Sequence, residues 1–205
     1  MSSSYRSYGG VRSKATPVNT IIILINVAVF IWLLRMGDPS DSEFMYNHGA
    51  CFWPDVVYNH QYYRLLTCAF IHFSVSHIFN NMLVLAFIGD NLERALGSAK
   101  YALFYILAAI GSSLVSVGFD MFTDSYSISG GASGAIFGVV GGILIVLIKN
   151  KGHLEDLSAT QIILFAAFSI YFGVTSVGID NAAHIGGFVV GALLALIMYR
   201  KRRRY

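Results

Sequence analysis

A glycine-rich stretch, GGASGAIFGVVGG at residues 130–142, opens a long apolar segment. Gly134, Gly138 and Gly142 recur in it at steps of four, so they form one stripe along a helix. Stripes of small residues at this spacing let helix backbones approach closely within a lipid bilayer. A second stretch, AAHIGGFVVGA at residues 182–192, carries a stripe of the same kind. The two stretches therefore predict a pair of closely packed membrane helices.

The composition places the rest of the chain in a membrane as well. The 205 residues are 56% hydrophobic and 12% charged, with a mean hydropathy of +0.62. A soluble domain carries about 25% charged residues, and an apolar helix of about 20 residues spans the core of a bilayer. Six apolar stretches reach about this length: 18–36, 65–89, 101–119, 130–148, 160–179 and 182–199. We therefore predict an all-α, polytopic membrane protein built as a six-transmembrane-helix bundle.

The positively charged residues predict the orientation of this bundle. With six spans both ends lie on one side, which would carry twelve lysines and arginines against two, Arg35 and Arg64, on the other. Loops rich in lysine and arginine stay in the cytoplasm. We expect a flexible cytoplasmic tail at 1–17, the membrane domain at 18–199 and a basic cytoplasmic tail at 200–205. The net charge of +3 is thus a topology signal and does not indicate nucleic-acid binding.

Polar side chains lie inside three of the predicted spans at one common depth. Ser133 and His184 each precede the basic residue that ends their span by 16 residues, and His77 precedes its own by 17. At 1.5 Å per residue, all three lie roughly 24–26 Å from the inner surface. Taken singly, each residue also fits a structural role, since a serine can bond its own helix and polar groups can join helices. Together, beside two glycine stripes, they favour a functional site.

The residues around Ser133 suit acyl-transfer chemistry. Gly131 relaxes the backbone before it, and free amide groups at the start of a helix attract a developing anion. His77 and Asn81 are four residues apart, so they share one helix face and could both donate hydrogen bonds to an oxyanion. We therefore expect Ser133 to be the nucleophile, with these groups supporting the oxyanion.

His184 is the expected general base. The sequence places no carboxylate at this depth near it, so we predict a Ser–His dyad that needs no orienting acid, no metal and no organic cofactor. Phe137 lies one helical turn after Ser133 and could hold the imidazole by stacking. Cys51 and Cys68, the only cysteines, make no metal pattern, and their spacing does not argue for a disulfide. We interpret them as unpaired small hydrophobic residues.

Four ordered motifs are similar to those of the rhomboid family of intramembrane serine proteases. They are HFSVSHIFNN (72–81), LERALGS (92–98), GGASG (130–134) and AHIGGFVVG (183–191). The resemblance implies that Ser133 is the nucleophile and His184 the base. It also implies that His77 and Asn81 stabilise the oxyanion together with the Ser133 amide. Gly131 falls on the first glycine of the family's G-x-S-G signature.

The resemblance has further implications for the substrate and for other parts of the chain. Substrates would be transmembrane proteins cut near the outer end of their helix, within the lipid bilayer. Independently of the resemblance, the small size and the bare six-span plan favour a prokaryotic plasma membrane. Phe137 stands where the family often has tyrosine, and Glu93 and Gly97 match a structural turn. The loop 37–63 would lie partly in the membrane. The fifth span is aromatic, nearly free of charge and followed by a short turn, so we expect it to move as a gate.

Two other classes of protein remain open at this point. A small transporter or channel also carries polar groups inside its spans. An inactive rhomboid-like protein that binds membrane clients would share the fold but would be expected to lack the serine or the histidine. The sequence leaves the oligomeric state and the physiological substrate unknown.

Overall fold

The computed structural model describes residues 16–154, 157–175 and 178–201. Most of the two predicted tails, residues 1–15 and 202–205, lies outside the described residues. The helices are α1 (Pro17–Met36), α2 (Ser42–Asn47), α3 (Trp53–Val57), α4 (Arg64–Thr67), α5 (Val75–Val84), α6 (Asp90–Leu96), α7 (Ser98–Thr123), α8 (Ser133–Lys149), α9 (Ala159–Thr175) and α10 (Asn181–Met198). A 3₁₀ turn at Cys68–Phe70 extends α4, and a π-helical turn at Leu85–Gly89 joins α5 to α6. A short antiparallel hairpin, β1 (His153–Leu154) and β2 (Leu157–Ser158), precedes α9.

The long apolar helices confirm a helical integral membrane protein. In the described ranges α1, α7 and α10 are long and apolar enough to cross a bilayer. The segments Arg64–Phe70 and Val75–Leu96 meet that condition only as a bent pair, which gives three or four candidate spans by length. Helices α8 and α9 are apolar but have 17 residues each. The count of six spans therefore stays a prediction.

The prediction of one continuous helix over 65–89 is wrong. The segments on either side of residues 71–74 meet at an angle of 94°. The helix restarts at Ser74, whose backbone is extended and whose hydroxyl accepts a hydrogen bond from the His77 amide at 3.1 Å. A serine in this position is a strong helix start signal. The break also lets His72, which is fully buried, turn inward toward α8.

Helices α8 and α10 pack backbone against backbone, as the glycine stripes predict. A Cβ atom on Gly187 would overlap the carbonyl oxygen of Gly134, and one on Gly191 would overlap that of Gly138. Helix α7 covers the same stripe, because a Cβ on Gly138 would also lie 2.6 Å from the Cβ of Ala108. The predicted close pair of helices is thereby confirmed, and α8 lies at the centre of the core.

The long loop between α1 and α4 is organised around Arg64. The Arg64 guanidinium donates to the carbonyl oxygens of Tyr46 and Ala50 at 2.7 Å each and lies 3.6 Å from the Asp55 carboxylate. Burial acts to raise the pKa of Asp55, but hydrogen bonds from Tyr46 and Asn59 and the charge of Arg64 outweigh it, so this pKa lies below its usual value. These contacts hold the loop together, and its helix α3 packs against α7.

The N-terminus of α1 is held by a buried carboxylate. Glu93 is 1% exposed and accepts hydrogen bonds from the amides of Val18 and Asn19, at 3.2 and 2.7 Å. The Ser98 hydroxyl donates to the same carboxylate at 2.6 Å. The first amides of a helix have no partner within it, so this side chain caps α1 from α6. The resemblance to rhomboid motifs implied a structural turn at Glu93 and Gly97. The contacts of Glu93 show that this turn also caps α1.

Replacing Glu93 by alanine is expected to lower the free energy of unfolding by about 2–3 kcal/mol, because buried amides lose a charged partner. Thermal unfolding in detergent micelles measures this loss. Glu43→Ala is the matched control, since Glu43 is exposed in the first turn of α2. Equal unfolding temperatures for the two variants would contradict the capping role.

Candidate active site

Ser133 and His184 meet at the N-terminal ends of α8 and α10. Ser133 is the first residue of α8, and His184 lies in the first turn of α10. Their side chains are 51 residues apart in sequence, yet the Ser133 Oγ lies 2.9 Å from the His184 Nε2. A hydroxyl at this distance can pass its proton directly to an imidazole. The structure thus brings the two main predicted residues together.

The imidazole of His184 is held by packing. The ring of Phe137 stacks on it, with centroids 4.3 Å apart and an angle of 13° between the planes. His184 is 8% exposed, and its Nδ1 has no hydrogen-bond partner among the residues that the structure describes. Phe137 therefore occupies the predicted position, and in the described part of the chain no carboxylate bonds to the ring.

A space suited to an oxyanion lies between His77 and Ser133. Gly131 has φ +141, and a Cβ atom placed on it would lie 2.7 Å from the His77 Nε2 and 3.7 Å from the Ser133 Oγ. Only glycine keeps this space open, and it also tolerates the backbone conformation. Asn81 lies one turn further along α5, is buried, and its amide nitrogen has no hydrogen-bond partner among the described residues. The structure places His77 directly at the site and Asn81 on the same helix.

His72 supports the chain just before Ser133, and no role was predicted for it. Its Nε2 accepts a hydrogen bond from the Ala132 amide at 3.3 Å, and its ring lies 4.9 Å from that of His77. The available signal was its position five residues before His77, in a polar segment that interrupts an apolar stretch.

Asp180 corrects the expectation of no carboxylate near the site. It caps α10 by accepting from the Ala183 amide at 2.8 Å, and it accepts from the Ser116 hydroxyl at 2.5 Å. An aspartate directly before an apolar helix is a recognisable cap signal, which the depth argument left unused. Asp180 lines the same cavity as Ser133, but its recorded hydrogen bonds are to α7 and to its own helix.

The cavity beside Ser133 is small and is lined by both polar and apolar groups. Its volume is about 30 Å³, and its lining includes Cys51, Cys68, Ser116 and Asp180. This volume accommodates at least one water molecule. Within the described ranges no group of three or more histidine, cysteine or acidic side chains could hold a metal ion.

Comparison with known proteins identifies the family. Residues 59–201, which contain all of the candidate site residues, match the profile of the Rhomboid domain. The chain belongs to the rhomboid family. RHOMBOID-like protein 2 of Arabidopsis thaliana is 38% identical over 161 residues, or 78% of this chain and 49% of that protein. Rhomboid protease AarA of Providencia stuartii is 31% identical in an alignment 205 positions long, which covers 89% of this chain and 72% of that protein.

A third rhomboid relative shows how different the lengths are within the family. Rhomboid protease GluP of Bacillus subtilis is 31% identical over 175 residues, which cover 85% of this chain and 33% of that protein. The chain spans between a third and a half of the length of GluP and the Arabidopsis proteins. The relatives include bacterial and plant proteins, so the predicted prokaryotic source stays a prediction.

Proposed function

We propose that the chain is an intramembrane serine endopeptidase that hydrolyses peptide bonds in or near the transmembrane segments of other membrane proteins. The observation that carries this proposal is the 2.9 Å contact between the Ser133 Oγ and the His184 Nε2 in a member of the rhomboid family. A serine is a weak nucleophile until an adjacent base takes its proton. The stacked, buried imidazole of His184 supplies such a base.

The proposed reaction follows the geometry of the site. His184 takes the proton of Ser133, and the serine oxygen attacks the substrate carbonyl carbon. The resulting oxyanion enters the space beside Gly131, where His77, Asn81 and the Ser133 amide donate hydrogen bonds. His184 returns its proton to the leaving amine, and an acyl-enzyme remains. Water then repeats the two steps and releases the second product.

The short helix α8 explains how this reaction could take place below the membrane surface. Its 17 residues rise about 25 Å, less than the roughly 30 Å of a hydrocarbon core. With Lys149 at the inner surface, Ser133 stops several Å short of the outer one. A span enclosed by other helices need not cross the whole core by itself. We therefore retain six spans, counting α8 and α9, with both ends in the cytoplasm.

The substrate must unwind before it is cut. The peptide bonds of a transmembrane helix are hydrogen-bonded and shielded, so Ser133 can reach a carbonyl only where the helix opens. Glycine and other poor helix formers near the cleaved bond lower the cost of opening. We therefore expect cleavage near the outer end of a substrate helix that contains such residues.

Labelling with a fluorophosphonate probe tests the proposal. Wild-type protein in detergent or liposomes should react at Ser133, whereas Ser133→Ala should not. Ser129→Ala is the matched control, because Ser129 lines the same cavity but its recorded bonds to Cys51 are made by the backbone. A transporter or an inactive client-binding protein would not be labelled. Absence of labelling in the wild type, or equal labelling of Ser133→Ala, would refute the proposal.

A further inference from the structure

Asp180 joins the helix that carries His184 to a second helix. One oxygen of its carboxylate accepts a hydrogen bond from the Ala183 amide at 2.8 Å, and the other accepts from the Ser116 hydroxyl of α7 at 2.5 Å. The backbone carbonyl of Asp180 accepts from the His184 amide at 3.2 Å. A single residue therefore holds the first turn of α10, in which the proposed base lies, and ties this turn to α7.

The position of the His184 ring depends on this turn. The ring stacks on Phe137, and its Nδ1 has no hydrogen-bond partner among the residues that the structure describes. Stacked rings adopt a range of offsets, so stacking restrains the tilt of the imidazole more than its sideways position. The distance of 2.9 Å between the His184 Nε2 and the Ser133 Oγ is therefore set largely by where the backbone of α10 begins.

Helix α7 is a suitable anchor because it packs tightly against both helices of the candidate site. A Cβ on Gly186 of α10 would lie 2.5 Å from the Cβ of Val115, and one on Gly134 of α8 would lie 2.5 Å from the Ser112 Oγ. Close packing resists a separation of the helices, but the burial of apolar groups is not directional. The hydrogen bond from Ser116, which is 4% exposed, adds a directional restraint on the place of α10 along α7.

We propose that Asp180 is a positioning residue, whose two carboxylate hydrogen bonds fix the first turn of α10 against α7 and so keep His184 within reach of Ser133. This role rests on the proposed proteolytic function. The recorded bonds of the carboxylate go to Ala183 and Ser116 and not to the reacting groups, so Asp180 acts through the placement of His184.

Replacing Asp180 by alanine is expected to lower kcat for a transmembrane substrate about 30-fold, because a catalytic group displaced by about 1 Å costs about 10²-fold and the packing of α10 retains part of the restraint. KM should change by less than about threefold, since the lost bonds are not made to the substrate. Initial cleavage rates in liposomes over a range of substrate concentrations measure both constants. The rate of fluorophosphonate labelling at Ser133 should fall in parallel with kcat.

Asp180→Asn separates the hydrogen bonds from the negative charge. The asparagine oxygen can accept from the Ala183 amide, and its NH₂ group can donate to the Ser116 hydroxyl. Because asparagine caps helices about as well as aspartate, this variant should keep kcat within about threefold of the wild type. A role of the charge alone predicts instead a kcat as low as that of Asp180→Ala.

Ser116→Ala removes the bond to α7 and leaves the cap of α10 in place. Its kcat should fall about fivefold, and it supplies the test if Asp180→Ala does not fold. The double variant Asp180→Ala/Ser116→Ala should be no slower than Asp180→Ala, because the serine acts through the carboxylate. The matched control is Asp41→Ala, since Asp41 caps α2 by accepting from the Glu43 amide at 2.8 Å but is exposed. This control should keep the wild-type kcat.

The outcomes distinguish a failure of the inference from a failure of the proposed function. The inference is overturned if Asp180→Ala keeps the wild-type kcat, or if Asp180→Asn is as slow as Asp180→Ala. It is also overturned if Asp41→Ala loses as much activity, since the loss of any helix cap would then have the same effect. In these cases an active, labelled wild type leaves the proposed function standing. If the wild type neither cleaves the substrate nor reacts with the probe, the proposed function fails and the positioning role falls with it.

Discussion

Replacing His184 by alanine is expected to lower the rate of substrate cleavage by about 10⁴–10⁶-fold, the range found when one member of a serine–histidine pair is removed. The reason is geometric, since the His184 Nε2 lies 2.9 Å from the Ser133 Oγ. The initial cleavage rate of a model transmembrane substrate in liposomes measures the effect. Fluorophosphonate labelling of Ser133 should be lost in parallel, because the serine is no longer activated.

The matched control is His60→Asn. His60 is exposed in the loop before α4 with φ +55, a conformation that asparagine tolerates. This variant should keep the wild-type rate. The double variant Ser133→Ala/His184→Ala should be no slower than either single one, because the two residues act as a unit. His184 would not be the base if the rate losses of the two single variants added up in the double variant. The same would follow if His184→Ala kept more than a tenth of the wild-type rate.

The pairing of Ser133 with His184 could be predicted because two periodic signals coincide. The glycine stripes of 130–142 and 182–192 determine which helices pack closely, and the distances to the basic ends give both residues the same depth. Both signals depend only on helix geometry, which is regular. Phe137 stacks on His184 for the same reason, since a residue one turn further lies on the same face.

The broken second span could not be found from hydropathy alone. Residues 65–89 are apolar enough on average to be taken as one helix, and the bend depends on local hydrogen bonds that an average conceals. The cap at Ser74 is present in the sequence, but so are many serines that cap nothing. The bend places His72 where its ring accepts a hydrogen bond from the Ala132 amide, and this contact joins residues that are 60 positions apart.

Asp180 and the two cysteines illustrate a second limit of sequence reasoning. Their contacts join parts of the chain that lie far apart in sequence, such as Ser116 with Asp180 and Cys51 with Ser129. No periodicity links such residues, because at least one member of each pair lies in a loop or at a helix end. The long loop before α4 thus supplies one wall of the cavity, a position that no hydrophobic pattern could indicate.

Replacing Gly187 by alanine is expected to lower the cleavage rate by about 10²-fold, although it adds one methyl group. The new Cβ would overlap the carbonyl oxygen of Gly134, a backbone atom that cannot rotate away. Helices α8 and α10 would have to separate by about 1 Å to restore ordinary contact distances. That separation is comparable to the tolerance of the Ser133–His184 contact, so proton transfer suffers even if the fold survives.

Gly118→Ala separates this effect from a general response to alanine. Gly118 lies on the exposed side of α7, and a Cβ there would meet nothing within 4 Å. Since alanine favours a helix over glycine by about 1 kcal/mol, this variant should be at least as stable as the wild type and equally active. Gly187→Ala should lose both cleavage and fluorophosphonate labelling while its helical circular dichroism is kept. If Gly187→Ala were as active as Gly118→Ala, helices α8 and α10 would accommodate a methyl group between them. Their close packing would then not be what brings the Ser133 hydroxyl to the His184 imidazole.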